Sequence, residues 1–123
     1  MSSTLLPVLD DAALQRLRDL DPSGQSRLVG RVMRAFGVSV ARLGPQLRQA
    51  RQQSDTVAIR HVAHTLKSSS ASIGALKLSG IFADIETAIR LETVGEIGAL
   101  LDAVDRELPV VLEAVHSMRD MPE

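Results

Sequence analysis

The strongest constraint on the fold is a series of apolar residues near the C-terminus that recurs at steps of three and four. The series is Val94, Ile97, Leu101, Val104, Leu108, Val111, Val115 and Met118. These steps place all eight side chains on one face of an α-helix, whereas a half-buried strand would alternate with a period of two. A long apolar face of this kind needs other helices to cover it, so the segment predicts one helix of a bundle.

Similar spacing in the preceding segments predicts five helices. We expect them over about 7–20, 22–52, 55–73, 75–91 and 94–119. The short connections between the last four favour antiparallel neighbours. A chain of 123 residues is long enough for one modest core, so we expect a single domain over 1–123. The predicted fold is all-α: an antiparallel four-helix bundle with a short additional N-terminal helix.

Residues that favour helix ends or interruptions refine these boundaries. Asp21-Pro22 has the pattern of an N-cap followed by proline in the first turn, and Asp55 or the preceding serine is suited to cap the third helix. Gly74 is expected to end that helix in the left-handed conformation. Pro45 lies inside the second predicted helix and Pro109 inside the last, so we expect a kink or a break at the first and a bend at the second.

The segment from Arg60 to Ala75 combines an apolar helical face with a histidine on the opposite side. At about 100° per residue, His64 points about 160° away from Leu66, which belongs to the apolar face. Basic residues lie beside His64, and the positions four and seven residues further on are occupied by small side chains. The imidazole is therefore predicted to be exposed on a rigid helix, where another protein can reach it.

The motif His64-x-Leu66-Lys67-x-Ser69-Ser70-x-x-Ile73-Gly74-Ala75 resembles the signature of histidine-containing phosphotransfer (HPt) domains of bacterial phosphorelays. That signature reads His-x-Leu-Lys-Gly-Ser-Ser, followed by an aliphatic residue and Gly-Ala. The chain departs from it at Ser68, where the family usually has glycine. Because serine is also small, we expect a partner still to approach the histidine.

The resemblance implies a role for each part of the motif. His64 would be the phosphoacceptor, and Lys67 would stabilise the phosphoryl group. The structural positions would be Leu66, Ser69, Ser70 and Gly74. A docking surface would be formed by exposed residues of the second and third helices, namely Arg60, His61, Ser68, Ala71, Arg31 and Arg34. The chemistry suits these residue types, since histidine is largely uncharged near neutral pH and a nearby cation stabilises a transferring phosphoryl group.

The function implied by the resemblance is that of a phosphorelay intermediate. His64 would accept a phosphoryl group from a receiver-domain aspartate and pass it to another receiver. We expect no intrinsic kinase activity, because the sequence contains no glycine-rich phosphate loop. We also expect no cofactor on this chain, with magnesium on the partner receiver domain. The chain would be a cytoplasmic monomer, either free-standing or a domain of a hybrid sensor kinase.

The charge distribution leaves two interpretations open. Residues 22–54 contain six arginines and no carboxylate, whereas residues 84–123 contain ten carboxylates and three arginines. The two regions either orient an encounter with a charged partner or pair with each other in the bundle. The net charge of −1 does not favour nucleic acid as a partner, and no apolar run is long enough for membrane insertion. The absence of cysteine excludes disulfides.

Three alternative interpretations concern residues in or next to the motif. His64 could be an ordinary surface histidine of a non-phosphorylated helical adaptor that binds a signalling partner through the same face. His61 and His64 could share a metal ion, but without a nearby carboxylate or thiolate we expect no metal site. For Ser69 and Ser70 we favour a structural role over a catalytic one: a hydroxyl bonded to the carbonyl four residues back and packing on the inner face.

Overall fold

The computed structural model describes residues 8–119, and this part of the chain is all-α with no strand. The helices are α1 (Asp11–Asp19), α2 (Leu28–Gln52), α3 (Thr56–Ser72), α4 (Leu76–Arg90) and α5 (Ile97–Arg119), with a 3₁₀ turn (Val94–Glu96) directly before α5. Helices α2 to α5 follow one another through short turns, and α5 returns to pack against α2. The predicted four-helix bundle with an additional N-terminal helix is confirmed.

The core of the bundle is built from one apolar face of each long helix. Met33 and Phe36 of α2, Leu66 of α3, Phe82 of α4 and Val111 of α5 are all almost completely buried. Burial of each such side chain contributes about 1.5–3 kcal/mol relative to exposure. This common core fixes how the helices are rotated, and therefore which polar residues face outward. Within residues 8–119, no helix has both the length and the apolar composition needed to cross a membrane.

The predicted start of the second helix near residue 22 is wrong. Helix α2 begins at Leu28, and the preceding residues form a turn in which Gly24 and Arg27 have φ angles of 72° and 51°. Asp21 still satisfies the start of the helix, because its Oδ2 accepts a hydrogen bond of 3.2 Å from the Leu28 amide. The capping interaction therefore exists, but it spans a loop of six residues, 22–27, instead of beginning the helix at Pro22.

The other boundaries differ by smaller amounts. Helices α3 and α4 begin and end within one residue of the predicted positions. Helix α1 begins at Asp11, after its N-cap Asp10, and the predicted start at residue 7 lies outside the described residues. The side chain of Val94, the first member of the C-terminal apolar series, also lies outside them.

Of the kink or break expected at Pro45, the break does not occur, because α2 is continuous from Leu28 to Gln52. Proline cannot donate a hydrogen bond to the carbonyl four residues back, which here belongs to Ala41. Both residues are on the exposed side of the helix, so water can bind that carbonyl at little cost. Pro109 is likewise exposed within the continuous helix α5.

The two ends of α3 form as the sequence predicts. Asp55 is the N-cap, and its Oδ1 accepts a hydrogen bond of 3.1 Å from the Ala58 amide. Gly74 follows the helix with a φ of 81°, a conformation that favours glycine. The Asp10 amide donates to the Gly74 carbonyl at 2.8 Å, so the beginning of α1 packs directly on the turn between α3 and α4.

Candidate functional site

His64 lies on the outward face of α3, and 68% of its side-chain surface is exposed. It stands between Ala63, which is fully buried, and the core residue Leu66. Because the core fixes the rotation of α3, the imidazole is directed away from the bundle. The predicted exposure of His64 is confirmed.

Glu86 of α4 connects the histidine to the lysine of the motif. Its Oε2 lies 3.0 Å from Nδ1 of His64, and its Oε1 lies 2.7 Å from Nζ of Lys67. Only 17% of the Glu86 side chain is exposed, so the carboxylate is largely enclosed by its two partners and the helix surfaces. These three residues, His64, Lys67 and Glu86, form a cluster across the contact between α3 and α4.

The charge state of Glu86 determines which nitrogen of His64 carries the proton. The hydrogen bond from Lys67 lowers the pKa of the Glu86 carboxyl, and the hydrogen bond from His64 lowers it further, against an opposing effect of burial. An ionised carboxylate can only accept hydrogen bonds. A neutral His64 must therefore donate from Nδ1, which leaves the lone pair on Nε2. That nitrogen, on the far side of the ring, is the one available as a nucleophile.

The packing of α3 on α4 brings the members of this cluster together. Lys67 follows the buried Leu66 along α3, and Glu86 follows the buried Ile85 along α4. The two helices are also joined by a hydrogen bond of 2.9 Å from Oγ of Ser79 to the carbonyl oxygen of Lys67. The core residues thus set the register that places a carboxylate of one helix beside the histidine of the other.

A shallow depression of about 290 Å³ adjoins the histidine. Its lining residues are Val57, Arg60, His61, His64 and Glu86. Val57 is strongly exposed although it is apolar, and it lies two turns before His64 on the same face of α3. The predicted docking residues Arg60 and His61 are therefore adjacent to His64, whereas Ser68 and Ala71 are exposed on the other side of it.

The other two predicted docking residues, Arg31 and Arg34, are not adjacent to His64. Helix α2 ends at Gln52 and α3 begins at Thr56, and a groove shared by both helices brings residues 35, 36 and 39 together with residues 69, 72 and 73. In this antiparallel register His64 is level with Gly44, so the two arginines lie about 15–20 Å away along the helix axis. The exposed residues Arg42 and Arg48 are much closer to that level.

The serines of the motif are involved in packing and hydrogen bonding within the bundle. Oγ of Ser69 donates to the Thr65 carbonyl at 3.1 Å, which is the predicted bond to the carbonyl four residues back. Ser70 is completely buried on the inner face, where its small size allows a neighbouring helix to approach closely. Among residues 8–119, no group of three or more His, Asp or Glu side chains is arranged to hold a metal ion.

Glu86 is the residue of this site that the sequence reasoning missed. The sequence places no carboxylate beside His64 on its own helix, and the contact is made from the next one. The sequence does contain a usable signal: Gly74 marks the turn, and His64 and Glu86 lie at similar distances before and after it. In an antiparallel helical pair, residues equally far from the turn are neighbours.

The comparisons with known proteins agree with this geometry. A family model for the Hpt domain matches residues 31–120. The crystal structure of histidine-containing phosphotransfer protein B from Pseudomonas aeruginosa PAO1 is similar, with a TM-score of 0.82 and 26% sequence identity over 95% of this chain and 98% of that one. No curated protein sequence matches the chain.

Proposed function

The chain belongs to the Hpt domain family, and from this premise we propose that it is a phosphorelay intermediate that carries a phosphoryl group on His64. A histidine phosphotransfer role is what the family and the similar Pseudomonas protein have in common. The observation that carries the assignment to His64 is its position: the ring is 68% exposed and its Nδ1 is bound by Glu86. The nucleophilic Nε2 is thereby left accessible to another protein.

In the proposed reaction, the Nε2 lone pair attacks the phosphorus of an aspartyl phosphate in a receiver domain. A P–N bond forms and the P–O bond breaks, with its electron pair leaving on the aspartate carboxylate. The Nδ1 proton stays in its hydrogen bond with Glu86, so the ring does not rotate during the attack, whose geometry tolerates little error. Transfer to a second receiver is the reverse reaction. Magnesium bound by the receiver would supply additional positive charge to the phosphoryl group.

Lys67 is the proposed phosphoryl-stabilising residue. It lies one turn after His64 on the same helix, close enough for the two side chains to approach the same group. In the unphosphorylated structure its ammonium is paired with Glu86 at 2.7 Å. It would therefore reach the phosphoryl group by shifting away from that carboxylate, a movement that a partly exposed lysine can make without disturbing the core.

The proposed partner is the receiver domain of a response regulator or hybrid kinase. The receiver would cover the depression beside His64, where Arg60 supplies positive charge for its acidic site and His61 lies next to it. The small residues Ser68 and Ala71 would let its backbone approach on the other side. Arg31 and Arg34 lie too far along α2 to touch the His64 ring itself, and their contact with the receiver stays a prediction. The cytoplasmic location, the monomeric state and the lack of kinase activity remain predictions.

Mapping the modified residue tests the proposal. The chain is incubated with receiver domains charged by a small phosphoryl donor, and the label is located by mass spectrometry under neutral conditions. We expect an acid-labile, base-stable label on His64. His64→Gln should abolish the label and keep the thermal stability, because the side chain is largely exposed and glutamine can still donate a hydrogen bond to Glu86, whereas the matched control His61→Gln should still be labelled. A label that persists in the His64 variant would contradict the assignment, and a complete absence of label would favour the adaptor.

A further inference from the structure

We propose that Glu86 is a positioning residue that shortens the lifetime of phosphorylated His64, so that the chain passes its phosphoryl group on instead of storing it. This inference rests on the proposed function and concerns the regulation of the same site. The observation behind it is the charge of the group that binds the His64 ring: this group is the Glu86 carboxylate, at 3.0 Å from Nδ1. The phosphoryl group would be attached across the ring, on Nε2, so this carboxylate adds negative charge to the site instead of neutralising it.

The first effect of Glu86 is electrostatic. A phosphoryl group on Nε2 carries about two negative charges, and a third lies across the ring on the carboxylate. Because only 17% of the Glu86 side chain is exposed, water and salt screen this repulsion less than they would at the surface. The carboxylate also competes for the ammonium of Lys67, which it binds at 2.7 Å. Arg60 and His61 are the other basic groups at the depression, and neither contacts Glu86 in an ion pair among the described residues.

The second effect concerns the leaving group. As long as Glu86 accepts a hydrogen bond from Nδ1, the phosphorylated ring keeps its Nδ1 proton. When the P–Nε2 bond then breaks, its electron pair returns to Nε2 and the ring departs as neutral imidazole. Without the Nδ1 proton the ring would have to depart as an imidazolate anion, which is a much poorer leaving group. The carboxylate therefore favours rupture of the P–N bond, both for transfer to a receiver and for hydrolysis.

The lifetime of the phosphorylated form tests this inference without a receiver. The full chain is charged with phosphoramidate, whose P–N bond breaks as the new P–Nε2 bond forms and ammonia leaves. After removal of the donor, the decay of phosphohistidine is followed by ³¹P NMR. Glu86→Gln has the same shape as the wild type and can still accept the bond from Nδ1, but it lacks the negative charge. We expect its phosphohistidine to live about tenfold longer.

Three further variants separate this explanation from a structural one. Glu86→Asp keeps the charge and should remain within about twofold of the wild-type lifetime. Lys67→Gln removes the cation for which Glu86 and the phosphoryl group compete, and it should shorten the lifetime. Glu107→Gln is the matched control: that carboxylate is 14% exposed and is paired with Lys77 at 3.6 Å, between α4 and α5. Its substitution should leave the lifetime unchanged. Circular dichroism and ¹⁵N NMR of the imidazole would verify the fold and the Nδ1–H tautomer in each variant.

The outcomes distinguish this inference from the proposed function. A phosphohistidine at His64 that decays equally fast or faster in Glu86→Gln overturns the role of Glu86 and leaves the phosphocarrier function standing. If the wild-type chain acquires no phosphohistidine at His64, the proposed function fails and the role of Glu86 fails with it. A longer lifetime in both Glu86→Gln and Glu107→Gln would also overturn the inference, since it would reflect the overall charge of the chain.

Discussion

At the scale of single residues, the site depends on one histidine and on the group that binds its inner nitrogen. The exposure of His64 follows from the helical pattern of the sequence, because the pattern assigns Leu66 and its neighbours to the core. The contact with Glu86 does not follow from that pattern, since it requires the register between α3 and α4. The orientation of a side chain was therefore predictable from its own helix, but its contact with a residue of a second helix was not.

The ion pairs of Glu86 predict how the stability of the fold depends on pH. A carboxyl whose pKa is lowered by folding contributes stability that is fully present above its unfolded pKa and is lost as the pH falls through its folded pKa. The pKa of Glu86 is lowered from 4.5. The stability advantage of the wild type over Glu86→Gln should thus shrink as the pH falls below 4.5, as measured by urea unfolding. An advantage that grows below that pH would contradict the ionised cluster.

The small residue at position 68 predicts that a bulky substitution there hinders docking of the receiver but not the reactivity of His64 itself. Ser68 is exposed on α3, one turn after His64, so Ser68→Arg should leave the free energy of unfolding within about 0.5 kcal/mol of the wild type. The bulky side chain should nevertheless slow transfer from a receiver by tenfold or more, about 1.4 kcal/mol in the barrier. Charging by phosphoramidate, which needs little space, should be affected far less.

Stopped-flow measurement of transfer from the receiver provides the comparison for this substitution. Ser117→Arg introduces the same side chain at an exposed position of α5 and should transfer at the wild-type rate. Equal rates for the two variants would place the docking surface elsewhere than around Ser68.

At the scale of secondary structure, the ends of helices were predictable where one residue type dictates the conformation. Gly74 and Asp55 ended and began α3 as expected. The start of α2 was not predictable from Asp21-Pro22, because the capping carboxylate acts across a loop that the local pattern does not reveal. Pro45 did not break α2, since it lies on the exposed side, where water can replace the lost hydrogen bond. Local residue preferences thus predicted a helix end correctly only where no residue from a more distant part of the chain, such as Asp21, satisfied the first amide of the helix.

Gly74 provides a stability prediction for the turn between α3 and α4. Its φ of 81° disfavours any other residue, and an added Cβ would lie 2.8 Å from the Asp10 amide nitrogen. Gly74→Ala should therefore destabilise the fold by about 1–3 kcal/mol in urea unfolding. Gly80→Ala is the matched control in the exposed interior of α4, with nothing within 4 Å of the added Cβ. It should stabilise the fold by about 0.5–1 kcal/mol. Equal effects of the two substitutions would contradict this account of the turn.

At the scale of the whole molecule, the bundle was predictable because every long helix has one apolar face and the connections are short. The arrangement of charges over the surface was not. Arg51 of α2 pairs with Asp102 and Asp105 of α5, at 2.8 and 3.5 Å. The exposed arginines 42 and 48 form no ion pair within 4.0 Å with any carboxylate of residues 8–119. Pairing within the bundle therefore applies to Arg51, whereas arginines 42 and 48 remain available to orient a charged partner.

Substitution of these arginines distinguishes ion pairing within the bundle from electrostatic attraction of a partner. Arg51→Gln breaks a partly exposed ion pair and should lower the free energy of unfolding by about 0.2–1 kcal/mol, with no change in the rate of transfer from a receiver.

The double substitution Arg42→Gln and Arg48→Gln should leave stability nearly unchanged, because neither side chain has an ionic partner in the described structure. Arg42 is near the level of His64 and Arg48 borders the groove between α2 and α5, so their charge would act on the encounter through the long-range field of the surface. The double variant should therefore associate more slowly with an acidic receiver at low salt. The difference from the wild type should vanish near 1 M salt, where the Debye length is only about 3 Å. A slower reaction that persists at high salt would mean that these arginines contact the partner directly, and an unchanged rate at low salt would mean that α2 does not contribute to the encounter.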